Sequence, residues 1–381
     1  MPYFDLPPMI SKMLSVAEDI SDLNFTVGRP PQVEVNGKLL AVPIRGMESL
    51  KPYHTEIIAL SLIGDNEEAV RRLLQSGSVD ISYSLPNRVH FRVNIFQQRG
   101  YYSIVMRVIP SKVPTLITLG LPPHLGDIAK LRNGIVLLTG PTGSGKSSTL
   151  AALIDQINEE MQYHIITIED PIEFIHQHKR STINQRELGN DTPSFALALR
   201  AAMRQAPKVI LLGEMRDLET IEIALEASET GHLVFSTLHT TDAAKTIDRI
   251  VGVFPKSEER VIRTRLAQTF RYIIAQRLIP RADGHGRVAA VEILKSTPRT
   301  REYIERGESE GKSLLDAMND GQLEGMQTFD GVIEQYIRNG IVAHEDGMMF
   351  ATNPHNLLLK LSGLGSSDDI KDFAHETIFK N

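Results

Sequence analysis

A glycine-rich stretch around residue 140 combines the residue types that bind phosphate. Gly140 to Ser147 matches the pattern G-x-x-x-x-G-K-[ST], with an apolar run (135–138) before it and an amphipathic segment (147–158) after it. Glycines allow the backbone dihedrals with which successive N–H groups surround phosphate oxygens at the positive end of a helix. The alternative is a glycine-rich turn that binds nothing, but the strand–loop–helix order favours a phosphate-binding loop. The residues predicted to bind the nucleotide are Thr142, Gly143, Ser144, Gly145, Lys146, Ser147 and Ser148.

Two side chains of this loop have specific expected roles. Lys146 would supply a mobile positive charge to the outer phosphates of the nucleotide. The hydroxyl of Ser147 is the expected ligand of a magnesium ion, because loops of this kind hold Mg²⁺ through their Ser or Thr. ATP and Mg²⁺ are therefore the predicted ligands.

Acidic residues follow two further predicted strands. Strand 164–169 leads into a group of acids from Glu169 to Glu173, and strand 208–212 leads into Glu214. Ligands of open α/β sheets lie beyond the carboxyl ends of the strands. Glu214 is therefore the candidate Walker B acid that holds Mg²⁺, and one acid of the first group should orient the attacking water. Carboxylates in such a cluster can instead be structural, as helix caps or ion-pair partners.

Two histidines, His232 and His239, mark the start and the end of a predicted strand (232–238). They could be zinc ligands, core histidines, or sensors that hydrogen-bond to phosphate or to a catalytic acid. A zinc site would need further ligands at suitable spacing, and none is evident nearby. The sensor and structural interpretations both remain open.

Composition limits the classes of protein to which the chain can belong. The 381 residues carry a net charge of −6 and include no cysteine. Disulfides and thiolate metal sites are thus excluded, and broad nucleic-acid binding through a basic surface is disfavoured. No apolar run approaches the roughly 20 residues of a membrane span, and the N-terminus lacks a secretion-signal pattern. We expect a cytoplasmic protein that reaches the membrane only through a partner.

The pattern of elements predicts two domains of different class. Residues 1–110 should form an α+β domain, with a hairpin at Asn36-Gly37 and one helical segment over 55–74. Prolines mark a linker (111–123), after which alternating strands and helices indicate an α/β domain (124–360) with a mostly parallel sheet. The chain from Ser257 onward is expected to be predominantly helical, and residues 361–381 to form a flexible tail.

Together these residues resemble the secretion ATPase superfamily, and specifically the PilT/PilU-type retraction ATPases of type IV pili. The resemblance extends to about residue 360 and rests on many motifs in order. They include Ser21–Leu23, Phe91–Asn94, the phosphate loop, the Asp box Ile168–Glu173, Asn184–Glu187, Gly213–Thr220, the His box Thr230–His239, Ala244–Arg249 and Gly325–Thr328.

The resemblance implies a fold, an assembly and several residue roles. The family has a PAS-like N-terminal domain and a RecA-like ATPase domain with a helical C-terminal part, assembled as a homohexamer with nucleotide at subunit boundaries. Glu173 matches the catalytic glutamate, Glu214 the Walker B acid, and His232 and His239 the His-box histidines. Arg92 and Arg107 match N-terminal arginines that reach the nucleotide. The implied partners are an inner-membrane pilus platform protein and, as an alternative, a paralogous retraction ATPase.

Within the superfamily, the sequence favours a retraction motor. Extension ATPases typically carry a four-cysteine metal module, which a chain without cysteine cannot have. Segment 299–306 departs from the PilT pattern, however, and the C-terminal extension is more like PilU. An accessory paralogue is therefore the alternative to a main motor. A non-hydrolysing regulatory subunit is disfavoured by intact Lys146, Glu173 and Glu214, and a DNA translocase by the acidic balance.

Overall fold

The computed structural model describes residues 5–17, 19–85, 89–110, 112–309 and 312–363. The chain divides into two compact units. The first comprises Met1–Val113 together with Pro171–His176, and the second comprises Pro114–Asp170 with Gln177–Asn381. No helix within the described ranges has the length and apolar character that crossing a membrane requires.

The N-terminal unit is built on a six-stranded antiparallel sheet with helices packed on it. The strand order is β3-β2-β1-β6-β5-β4. The apolar residues Phe91, Val93 and Ile95 of the fifth strand are completely buried, whereas Arg92 between them is exposed, as the alternating pattern predicts. The elements are α1 (Leu6–Leu14), β1 (Ile20–Phe25), β2 (Gln32–Val35), β3 (Lys38–Ala41), α2 (Pro52–Ile63), α3 (Glu67–Ser76), β4 (Ser78–Leu85), β5 (Val89–Gln98) and β6 (Tyr101–Ile109).

The predicted hairpin is confirmed, and the predicted single helix over 55–74 is wrong. Asn36 and Gly37 both have positive φ and connect β2 to β3, with Val35 opposite Lys38. The helical segment is instead two helices, because Gly64 (φ +58°) ends α2 and the side chain of Asn66 accepts a hydrogen bond from the backbone N–H of Ala69 at the start of α3.

The second unit contains a seven-stranded sheet in the order β13-β12-β7-β11-β10-β8-β9. All of its neighbouring strands are parallel except β12 and β13. The predicted α/β class, with an α+β part at the N-terminus, is confirmed. The strands are β7 (Gly134–Thr139), β8 (His164–Glu169), β9 (Thr182–Glu187), β10 (Val209–Leu212), β11 (Leu233–Leu238), β12 (Phe270–Pro280) and β13 (Arg287–Lys295).

Helices cover both faces of this sheet and continue to the end of the described chain. Within β7, Ile135 and Leu137 join one apolar cluster with α5, α6 and α7, whereas Val136 and Leu138 join another with α4. The helices are α4 (Lys146–Glu160), α5 (Phe195–Ala202), α6 (Leu218–Glu229), α7 (Ala243–Val251), α8 (Glu259–Thr269), α9 (Pro298–Arg306), α10 (Leu314–Asp320), α11 (Phe329–Arg338), α12 (His344–Phe350) and α13 (Pro354–Leu361).

The expectation of a predominantly helical chain from Ser257 onward is wrong for residues 270–280 and 287–295, which form the strands β12 and β13. β12 and β13 form a long antiparallel pair, and β12 also pairs in parallel with β7. β9 was likewise not among the expected strands. A short apolar run such as 272–275 fits a buried strand and a buried helix equally well, and pairing with distant strands decides between them. Of the expected flexible tail, residues 364–381 lie outside the described part of the chain.

A buried carboxyl group lies where the strand pair β12–β13 meets two helix starts. Glu292 of β13 is only 3% exposed, and its Oε1 accepts a hydrogen bond of 2.9 Å from the backbone N–H of Ala243. Burial, reinforced by the charge of Asp242, raises the pKa of Glu292 to about 7, although the N–H groups of Ala243 and Phe329 and the charge of Arg277 oppose the rise. Glu292 therefore ionises near neutral pH in the folded protein.

The raised pKa predicts that Glu292 weakens the fold as the pH increases. Between its ordinary pKa of 4.5 and the folded value of about 7, only the folded state holds the proton, so raising the pH favours unfolding. Glutamine cannot ionise. The free energy of unfolding of Glu292→Gln relative to wild type should therefore rise by on the order of 2 to 3 kcal/mol from about pH 5 to pH 8.

Urea unfolding at several pH values measures this difference. Glu56→Gln, which removes an exposed glutamate of α2, is the matched control and should follow the wild-type pH dependence. A constant difference between Glu292→Gln and wild type across the pH range would contradict the prediction.

Candidate phosphate-binding site

The loop between β7 and α4 has the backbone conformation of a phosphate cradle. Gly140, Gly143 and Gly145 have φ values of +139°, +77° and +87°, which L side chains rarely adopt. Close packing adds a second requirement at two of them. A Cβ atom on Gly140 would overlap the carbonyl oxygen of Gln276, and one on Gly145 would lie 2.8 Å from the Nε2 atom of the same residue.

The polar side chains of the loop fit a bound phosphate group. Lys146 is buried, and its Nζ donates hydrogen bonds to the carbonyl oxygens of Gly140 (2.8 Å) and Pro141 (3.0 Å). The buried Oγ of Ser144 has no hydrogen-bond partner among the described residues. Thr142 and Gly143 are exposed, and Ser147 and Ser148 are half-buried in the first turn of α4. The loop thus offers an unpaired hydroxyl, a lysine and a helix N-terminus to an anion.

The strands beside the loop end at the same edge of the sheet. β7 and β11 pair in parallel with Thr139 opposite Leu238, and β10 pairs with β8 and β11 at Leu212. Parallel pairing in this register brings Glu169, Glu214 and His239 to the edge that carries the phosphate loop. Within one chain these three residues therefore lie at the same sheet edge, and their roles in hydrolysis stay predictions.

Glu214 is held at this edge by two basic side chains. Its Oε2 accepts a hydrogen bond of 2.8 Å from Nε of Arg216 and lies 2.8 Å from Nη2 of the same residue, and its Oε1 lies 3.2 Å from Nε2 of His239. Burial, the largest influence, would raise the pKa of Glu214, but the hydrogen bond from Arg216 and the charges of His239 and Arg216 lower it below its ordinary value. The group is a carboxylate at neutral pH, the state that a magnesium ligand needs.

The acids that follow β8 have different environments. Oε1 of Glu169 accepts hydrogen bonds from Oγ1 of Thr167 (2.6 Å) on its own strand and from Nε2 of Gln185 (3.2 Å) on the neighbouring β9, and these bonds hold the carboxylate. Glu173 lies in the segment Pro171–His176, which groups with the N-terminal unit. Its role as the residue that orients water stays a prediction.

His232 is not brought to the loop. It stands at the amino end of β11, where its backbone carbonyl accepts a hydrogen bond from Gly134 at the start of β7. Its Nδ1 lies 2.9 Å from the carbonyl oxygen of Ala227 near the C-terminus of α6. A strand advances about 3.3 Å per residue, so roughly 20 Å separates His232 from His239. Within one chain His232 therefore lies away from the loop, and the choice between its sensor and structural roles stays open. No group of three His, Asp or Glu side chains arranged for a metal ion occurs in the described ranges.

Arg92 and Arg107 lie side by side on the sheet of the N-terminal unit. They are direct partners in the pairing of β5 with β6. Nε of Arg107 lies 3.1 Å from Oδ1 of the buried Asp22, and Nε of Arg92 lies 4.0 Å from Oδ1 of Asp80. The side chains of Arg92 and Arg107 are 49% and 70% exposed, so both guanidinium groups remain accessible to a ligand. Their contact with a nucleotide stays a prediction.

For two residues at the site, the sequence predicted no role. Arg216 belongs to the Gly213–Thr220 motif, and only its position two residues after the Walker B acid could have indicated its contact with Glu214. Gln276 lies on β12, a strand that the sequence did not reveal. The only available sign was that Gln276 directly follows the apolar run 272–275, where a polar side chain indicates a contact other than the core.

Comparison with known proteins gives matches over most of the chain. The family model "Type II/IV secretion system protein" matches residues 35–328. The chain is 42% identical to the Pseudomonas aeruginosa "Type IV pilus retractation ATPase PilT", covering 90% of this chain and 97% of that protein. It is 38% identical to the Pseudomonas aeruginosa "Type IV pilus ATPase PilU", covering 93% and 91%. A crystal structure of the pilus retraction motor PilT with bound ADP matches with a TM-score of 0.81 and 40% identity, covering 93% of this chain and 98% of that one.

Proposed function

Because the chain belongs to the type II/IV secretion system protein family, we propose that it is an ATP-hydrolysing motor that retracts type IV pili and so drives twitching motility. The observation that carries this proposal is the phosphate loop with Glu214 and His239 at the same sheet edge. Similarity over nearly the full length of a retraction ATPase and of an ADP-bound motor structure supports it.

The loop residues have distinct tasks in the proposed hydrolysis. Backbone N–H groups from Thr142 to Ser148 bind the phosphates of ATP, and Lys146 exchanges its loop carbonyl partners for the outer phosphates. Mg²⁺ would be held by Ser147 and Glu214 and would neutralise negative charge on the phosphate oxygens. Gly140 and Gly145 let the loop lie directly against Gln276 of β12, where a Cβ atom on either would collide, and this packing supports the loop conformation that the phosphates require.

The bond-breaking step uses water as the nucleophile. Glu173 orients a water molecule and accepts its proton while the water oxygen attacks the γ-phosphorus. The bond between the γ-phosphorus and the bridging oxygen breaks, and its electron pair leaves with ADP. Arg216 and His239 keep Glu214 ionised and oriented during this step.

The proposed assembly is a homohexamer with ATP at the boundaries between subunits. Arg92 and Arg107 of an adjoining N-terminal unit would then bring positive charge to the phosphates, which couples the nucleotide state to movement of that unit. His232, which lies far from the loop of its own chain, would act only through such a boundary or as a structural residue. The partner is an inner-membrane pilus platform protein, which would bring this motor to the cytoplasmic face of the membrane.

A second candidate function is an accessory ATPase that acts with a paralogous main motor. It is favoured by the similarity to PilU, which covers 93% of this chain, and by the departure of segment 299–306 from the pattern that the resemblance to PilT implies. The higher identity to PilT favours the main motor.

Gene deletion with complementation tests the proposal. Deletion should abolish retraction of fluorescently labelled pili and twitching, and a wild-type copy should restore both. A copy with Glu173→Gln should not restore them, because the water is no longer activated. Glu258→Gln, which alters an exposed glutamate, is the matched control and should restore retraction fully.

The other outcomes separate the rival functions. Residual retraction after deletion, lost when a paralogue is also deleted, would indicate the accessory role. Full restoration by Glu173→Gln would indicate a regulatory subunit whose function does not need hydrolysis. Normal retraction in the deletion strain that persists when the paralogue is also deleted would overturn the pilus function.

A further inference from the structure

Gln276 is a buried polar residue that packs directly beneath the phosphate loop. It follows Ala275, which pairs with Thr139 of β7, so it lies beside the point where the loop begins. Only 3% of Gln276 is exposed. Its backbone carbonyl oxygen occupies the space where a side chain on Gly140 would be, so the first residue of the loop rests on the backbone of β12.

The carboxamide of Gln276 reaches the other end of the same loop. Its Oε1 accepts a hydrogen bond of 2.8 Å from Oγ1 of Thr149, which is completely buried in the first turn of α4. Its Nε2 lies against Gly145, at 2.8 Å from the position of a Cβ atom there. One residue therefore contacts both ends of the loop and the start of the helix.

We infer that Gln276 is a positioning residue that holds the phosphate loop in its binding conformation. Its backbone supports Gly140, and its side chain fixes Gly145 and α4 through Thr149. The N–H groups of the loop then point at the phosphates before the nucleotide arrives, which lowers the cost of ordering them on binding. The inference rests on the proposed nucleotide site, and it adds a residue of β12 to those that hold the phosphate loop in place.

The residue type is explained by the charges around the loop. Oε1 must accept a hydrogen bond from Thr149 in a buried position, which a leucine cannot do. A glutamate could accept that bond, but its negative charge would lie beneath the phosphate-binding N–H groups and repel the phosphates. A neutral acceptor with the length of glutamine meets both requirements.

Nucleotide affinity of the purified full-length protein tests the inference. Fluorescent ADP binding and steady-state ATP hydrolysis are measured for wild type, Gln276→Leu, Gln276→Glu and Thr149→Val. For Gln276→Leu we expect Kd and KM to rise about tenfold, the effect of one lost hydrogen bond of about 1.4 kcal/mol, with kcat changed less than about twofold. Gln276→Glu should weaken binding more strongly still. Gln268→Leu, at an exposed position of α8, should change nothing.

A double-mutant cycle separates positioning from a general loss of structure. Thr149→Val should weaken binding as Gln276→Leu does, and the double variant should be no weaker than either single one, because both remove the same hydrogen bond. Unchanged Kd in the three variants would overturn the inference, as would fully additive effects. If the Gln276 variants instead lost thermal stability and kcat while KM stayed unchanged, Gln276 would have only a structural role in the core.

The two readouts keep this inference distinct from the proposed function. Binding of ADP is measured without hydrolysis, so a wild-type protein that binds nucleotide but does not hydrolyse it would contradict the motor and still test Gln276. A wild-type protein that binds no nucleotide would overturn both.

Discussion

Replacing Lys146 with alanine is expected to reduce ATP hydrolysis by about 1000-fold, the loss typical of a group that stabilises developing charge. The amine is buried in the loop, 2.8 Å from the carbonyl oxygen of Gly140. Residues 140–148 contain no second lysine that could replace it. Alanine would leave the outer phosphates without this charge, both in the bound state and during bond cleavage. Phosphate release from the purified protein, measured at saturating ATP, checks the expected rate.

Lys130→Ala is the matched control for Lys146→Ala. Lys130 lies in the same unit but is exposed and paired with Asp127 at 2.7 Å, so its loss should leave hydrolysis within about twofold of wild type, as for most surface pairs. Lys146→Ala must also show the wild-type circular dichroism spectrum, because its amine bonds to two loop carbonyls. Hydrolysis by Lys146→Ala within tenfold of wild type would exclude the loop from the active site.

The phosphate loop and its neighbouring acids could be predicted because their signals are local. A glycine pattern specifies backbone conformations over eight residues, and an apolar run followed by Glu214 places that acid at the carboxyl end of a parallel strand. The structure agrees with both, and Glu214 and His239 lie 3.2 Å apart. The comparisons also confirm the family that the ordered motifs indicated.

Apart from the single helix over 55–74, which Gly64 and Asn66 divide locally, the strands that were not predicted depend partly on contacts between distant parts of the chain. The run that forms β12 pairs with β13, which follows it, and with β7, which lies more than 130 residues earlier in the chain. Because β12 was not predicted, the contact of Gln276 with the loop was not predicted either; its partner Thr149 lies 127 positions away in the chain. For His232 the sequence left two roles open, and its position in the structure follows from strand geometry: it lies at the start of β11 and His239 follows its end, so the two histidines are at opposite edges of the sheet.

A methyl group on Gly140 should disable the same site by steric exclusion. The residue has a φ of +139°, and an added Cβ atom would overlap the backbone carbonyl of Gln276 and lie 2.7 Å from Oγ of Ser144. Neither the strand backbone nor the buried hydroxyl can move away freely, so the loop itself must shift. We expect Gly140→Ala to weaken ADP binding at least about 100-fold and to lower the free energy of unfolding by about 3 kcal/mol.

Gly284→Ala distinguishes this overlap from the strain of a positive φ alone. Gly284, in the connection between β12 and β13, has a φ of +75° with no atom within 4 Å of an added Cβ. Its substitution should cost about 1 kcal/mol of stability and leave nucleotide binding unchanged. Titration with fluorescent ADP and urea unfolding of both variants give the comparison. If Gly140→Ala bound ADP as tightly as Gly284→Ala, the close approach of β12 to the loop would have no part in shaping the phosphate site.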